Sequence, residues 1–147
     1  PTAIPLPRAM LRSGDYDFSL SGLKTAVATY VKRERHSGRE IPLADLAASF
    51  QAAVIDVQVA KTVRAAQEHG VRVVCLAGGV AANVALREAL SAALAEHGVV
   101  LSVPPHLLCT DNAAMIAAAG HFRLLQGAFF DLGQEATASL PLDAMEI

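Results

Sequence analysis

Two glycines follow directly on an apolar, β-branched run in RVVCLAGGVAANVALREAL (Arg72–Leu90), and small residues then open a helical pattern. Glycine has no Cβ. Gly78 and Gly79 therefore either make a tight turn with positive φ, or let a ligand lie against the main chain, where the free N–H groups of the next helix favour a phosphate or a polar sugar edge. Asn83, just beyond, carries an amide that donates and accepts at once, which suits a ribose or base edge; the plainer role is a first-turn residue facing solvent. Asp111 stands between Thr110 and Asn112, three good N-cap types in a row. Its carboxylate can cap a helix or act as a hard oxygen ligand for a divalent metal.

Other reactive types carry less. Ser21, Gly22 and Lys24 fit an N-cap, a tight helix start and a solvated lysine, or a lysine near phosphate or RNA backbone. Lys32, Arg33, Arg35 and Arg39 close the same helical segment, where cations complement the helix dipole and could also graze a phosphate. Cys109 has no base beside it in sequence and reads as a small core residue. The five histidines include no pair separated by three or four residues, so neither HxxxH nor HExxH is present.

These residues need elements to hold them. Leu23, Val27, Tyr30 and Val31 recur at helical spacing after Ser19 and Ser21, either of which could cap, and His36-Ser37-Gly38 ends the helix. Leu43, Leu46, Phe50, Val54, Val57, Ala60 and Val63 predict a longer helix, of roughly 40 Å, running to His69-Gly70. Val71–Ala77 reads as a strand buried on both faces of a parallel sheet. A helix from about Ala82 to His97, a strand over Val99–Val103 and a last major helix ending near Gly127 complete an α/β order. On this layout Asn83 lies at the same carboxyl mouth of the sheet as the glycines, where ligands of open α/β sheets gather. Residues 1–17 form an extended lead-in, 18–130 the α/β lobe, and 131–147 a tail of little pattern.

The chain has 147 residues, enough for one compact domain or a piece of a larger protein. Hydrophobic residues make up 53% and aromatics only 5%, which favours closely packed helices. A formal net charge of −2 gives no global attraction to nucleic acid or an anionic membrane, so any RNA contact must be local. Cys75 and Cys109 show no CxxC spacing and suit a reduced, cytoplasmic setting. The start PTAIPLPRAM has no apolar h-region of a signal peptide, and no uninterrupted apolar run reaches the roughly 18 residues of a membrane span. No membrane association is expected.

GGVAANVALR, CTDNAAMIA (Cys109–Ala117) and DFSLSGLKTA (Asp17–Ala26) together resemble the universal family of tRNA threonylcarbamoyladenosine synthases, called TsaD in bacteria and formerly glycoprotease or O-sialoglycoprotein endopeptidase. The resemblance runs from about Ile4 to about Gly133 and corresponds to the C-terminal part of such an enzyme. It implies the helix-rich C-terminal lobe of an actin-like ATPase fold (ASKHA, ribonuclease H-like), incomplete in this chain. It implies transfer of a threonylcarbamoyl group from threonylcarbamoyl-adenylate to the adenosine next to the anticodon of tRNA, with companion proteins of the same pathway. It also implies that Gly78 and Gly79 lie against an adenylate or ATP-type nucleotide, that Asn83 hydrogen-bonds to it, and that Asp111 binds one metal, iron or zinc.

The family's metal site also needs a His-x-x-x-His pair, and its glycine-rich phosphate loop lies upstream; neither is in this sequence. The chain alone is therefore expected to be inactive, its metal lost or weakly held. The ending QEATASLPLDAMEI departs from the family's basic, proline-containing tail. Two alternatives stay open: a metal-dependent glycoprotease, as the older label implies, and a non-catalytic nucleotide-binding scaffold lobe.

Overall fold

The computed structural model describes residues 1–129, 131–133, 135 and 139. Most of the segment read as a tail, 131–147, lies outside the described residues. The chain divides into two compact units, Pro1–Thr110 and Asp111–Ile147.

In the first unit an irregular lead-in precedes α1 (Ser21–His36) and α2 (Leu43–Glu68). Strand β1 (Val73–Cys75), a short 3-10 turn (Gly79–Ala82), α3 (Val84–Ala95) and strand β2 (Val100–Ser102) follow, with a second 3-10 turn at His106–Leu108. The two strands pair in parallel, Val73 with Val100, Val74 with Leu101 and Cys75 with Ser102, so α3 is the crossover of a β-α-β unit. The second unit contains α4 (Ala113–Leu125). The architecture is helix-rich α/β.

Helix α2 stops where the sequence places its stop. Gly70 takes φ 61, its N–H donates to the Gln67 carbonyl at 3.2 Å, and the Val71 N–H donates to Ala66 at 3.1 Å. This closes the last turn on a residue without a Cβ. The same pair of bonds recurs at Gly38, Gly98 and Gly127.

Two apolar clusters make the core of the first unit, and α2, roughly 39 Å long at 1.5 Å per residue, runs through both. Its first half packs Leu46 and Ala53 with Ile4, Leu6 and Leu23. Its second half packs Ala66 with Leu86, Leu90 and Leu94 of α3 and with Val99. By length and composition α2 could cross a membrane. Here it is the spine on which the lead-in, α1 and α3 are assembled, and its Asp56 and Lys61 pair with lead-in residues.

Three expectations need correction. The β1 strand is not buried on both faces: Val73 is 52% exposed while Val74 joins the α3 cluster, because helices cover one side of the two-stranded sheet. Helix α3 begins at Val84 rather than Ala82, since the 3-10 turn and an extended Asn83 intervene. Neither Ser19 nor Ser21 caps α1: the N-cap position is Leu20, and the Ser19 hydroxyl reaches only the Ser21 N–H, at 3.4 Å. The deepest line of α2 runs Leu46, Ser49, Ala53, Val57 and Lys61, while Leu43 is 72% exposed. Two polar residues on that line hold the lead-in, as Ser49 does by accepting the Ile4 N–H at 3.1 Å.

Candidate functional site

After β1, the Leu76 N–H still donates to the Ser102 carbonyl at 2.9 Å, and the chain then turns at Gly78 with φ 83 and ψ 176. That conformation is essentially confined to glycine. Gly79 does not need positive φ, as it opens the 3-10 turn that Ala81 closes by donating to the Gly78 carbonyl at 3.0 Å. Ala81 points inward and is fully buried; Gly78, Gly79 and Val80 are exposed. A Cβ built on either glycine meets no atom within 4 Å. The turn explains Gly78, and the open space in front of both glycines leaves the main chain accessible.

Asn83 is the N-cap of α3, its Oδ1 accepting the Leu86 N–H at 3.2 Å. It therefore stands one residue before the helix, not in its first turn facing solvent. Its Nδ2 makes no hydrogen bond among the described residues, so one half of the amide holds the helix and the other has donors to spare. Gly78, Gly79 and Asn83 thus share one turn.

The sequence reading passed over Arg87, one helical turn beyond Asn83. Its Nε donates to the Ala81 carbonyl and its guanidinium to the Cys109 sulfur at 3.0 Å. Cys109 is 2% exposed, as a small core residue should be. Arg87 therefore ties the glycine turn to the first residue of CTDNAAMIA; its only sequence signal was its place at the end of GGVAANVALR.

Asp111 belongs to the second unit and is exposed. It does not cap α4: Asn112 does, its Oδ1 accepting the Met115 N–H at 3.0 Å. Among the described residues no three His, Cys, Asp or Glu side chains cluster as metal ligands. Asp111 can thus offer one carboxylate to a cation, but these residues alone do not make a metal centre.

In the third block, Phe18, Ser19 and Leu20 line a cavity of about 250 Å³ together with Ala53, Val57 and Gln58 of α2. Ser21 is the first residue of α1, and Lys24 is exposed. The basic run is partly neutralised by buried Glu34, which pairs with Arg33 at 3.1 Å and Arg39 at 2.5 Å. Hydrogen bonds from Arg39 and then Arg33, working against burial, hold the Glu34 carboxyl at about 2.

A parallel β-α-β unit whose strand opens into a glycine-only turn defines the chain as an α/β protein with an accessible main-chain loop at the carboxyl end of β1. Residues 2–118 match the family model described as TsaD, tRNA N6-adenosine threonylcarbamoyltransferase. The chain belongs to that family. It is 56% identical over 142 residues to a tRNA N6-adenosine threonylcarbamoyltransferase of Symbiobacterium thermophilum, an alignment covering 97% of this chain and 41% of the relative. Proteins of the same name are similar in Geobacillus kaustophilus (55% identity; 95% of this chain, 41% of the relative) and Bacillus subtilis (57%; 84% and 36%). The chain spans about two-fifths of the length of these curated relatives, at their C-terminal part.

Proposed function

We propose that the chain is the C-terminal lobe of an actin-like α/β enzyme that transfers a threonylcarbamoyl group from threonylcarbamoyl-adenylate to N6 of the adenosine next to the anticodon of tRNA. The observation that carries this reading is the 56% identity to a threonylcarbamoyltransferase across 97% of the chain. In the reaction the N6 amine attacks the carbamoyl carbonyl, a C–N bond forms, the carbonyl–oxygen bond to the phosphate breaks, and AMP leaves while the amine loses a proton.

This chain's part is to bind and orient. Exposed main chain at Gly78 and Gly79 offers close approach to the adenylate or another ATP-type nucleotide, and the uncommitted amide protons of Asn83 offer donors to its sugar or base. Asp111 contributes one oxygen to a metal, iron or zinc; the described residues bring no three such side chains together. When bound, such a cation would neutralise phosphate charge or polarise a carbonyl. We place the activity in the cytoplasm with companion proteins that supply the adenylate.

The test is a full-length enzyme carrying this region, given threonylcarbamoyl-adenylate and tRNA. Asn83→Ala and Gly79→Ala should each raise the apparent Kd for the adenylate about tenfold or more, a loss of roughly 1.4 kcal/mol. Cleavage of a glycoprotein without tRNA modification would favour the peptidase alternative. Nucleotide binding indifferent to Asn83→Ala would favour a scaffold lobe.

A further inference from the structure

The block DFSLSGLKTA has an anchor on α2 that its own sequence does not contain. Lys61 lies on the deepest line of that helix and is 2% exposed. Lysine is almost never so buried unless its ammonium is paired. Nζ donates to Ser13 Oγ at 2.9 Å, to Asp15 Oδ1 at 2.9 Å and to the Asp17 carbonyl at 2.5 Å. Three protons meet three acceptors, all from one short irregular segment.

The same helix face supplies further contacts to that segment, since positions three and seven residues on from Lys61 lie above it. Arg64 donates to the Asp15 carbonyl and sits 5.0 Å over the Tyr16 ring. The Tyr16 hydroxyl donates to Glu68. The loop is thereby fixed along nearly two turns of α2, and only Phe18, Ser19 and Leu20, which line the 250 Å³ cavity, separate it from α1. Helix α1 starts with no side-chain cap of its own.

We propose that Lys61 is a positioning residue: acting through the Ser13–Asp17 loop, it sets where Ser21, Gly22 and Lys24 stand. The inference rests on the reading that this block serves threonylcarbamoyl transfer. In the present chain, Lys61→Met should speed amide exchange of residues 13–24 at least tenfold and leave α3 and β2 unchanged. In the full-length enzyme it should lower kcat/KM for tRNA at least tenfold at a temperature where the variant stays folded. Lys61→Arg should recover part of that loss. Lys24→Ala should slow transfer alone but add nothing to Lys61→Met, because the displaced lysine no longer contributes.

Unchanged exchange over 13–24, wild-type transfer per folded molecule, or additive effects of the two substitutions would each overturn the proposal. Should Lys61→Met fail to fold, Ser13→Ala removes one acceptor and should still speed exchange in that segment severalfold; no change there overturns it equally. An unsubstituted full-length enzyme without transfer activity would instead sink the functional reading, with the exchange result standing apart.

Discussion

At the scale of residues, the two glycines separate strain from access. Gly78→Ala introduces no clash, since a Cβ there has open space, but it forces a side chain into φ 83. A loss of about 1–3 kcal/mol in urea unfolding is expected. Gly79→Ala carries no such strain and should leave stability within about 0.5 kcal/mol, so a binding defect in that variant would report access alone. Two of the described carboxylates, Asp15 and Glu34, are held below their ordinary range and so contribute to acid sensitivity. Asp15, held at about 2 by the Ser13 hydroxyl first and Lys61 next, and Glu34, also at about 2, would titrate at 3.8 and 4.5 when unperturbed. Both folded values lie below the unfolded ones, so their stabilisation is complete above about pH 4.5 and drains away as pH falls toward about 2. Urea midpoints should hold from about pH 6 to about pH 4.5 and drop from there toward about pH 2, and Asp15→Asn with Glu34→Gln should flatten that decline.

At the scale of elements, α3 is held to the first unit by a row of buried leucines. Leu90 and Leu94 are 2% and 0% exposed against Ala66 and Val99, so Leu90→Ala should cost about 2–5 kcal/mol, read from the urea midpoint. The existence of α1, α2 and both strands was legible because apolar spacing and glycine stops are local signals, and Gly38, Gly70 and Gly127 end helices as the pattern required. Face assignment was less legible. An apolar run such as VRVVCLA reads as doubly buried whether one layer or two will cover it, and here Val73 is left open. Ser49 and Lys61 were invisible for another reason: their partners, Ile4 and the Ser13–Asp17 loop, lie 44 to 48 residues away, beyond any local pattern. In the candidate site the turn of Gly78, Gly79 and Asn83 was read from one contiguous string, whereas the link of Arg87 to Cys109 joins residues 22 apart in sequence.

At the scale of the whole molecule, the chain carries one candidate metal ligand and a glycine turn proposed to meet a nucleotide, but no His-x-x-x-His pair. By itself it should not modify tRNA, and an assay with labelled threonine in tRNA should give only background. Its second unit exposes an apolar helix, with Ile116 69%, Phe122 65% and Leu125 70% exposed. That surface, and the uncovered side of the sheet with Val73 and Val100, should bind a hydrophobic dye in the folded state more than a fully covered domain would.

The two thiols offer a built-in gauge of integrity. Cys75 is exposed on β1 while Cys109 is shut away behind Arg87. A maleimide reagent should therefore label the native protein rapidly at one position and reach the other only when the 104–109 segment lifts away from Arg87, making the stoichiometry of labelling a direct clock for that opening.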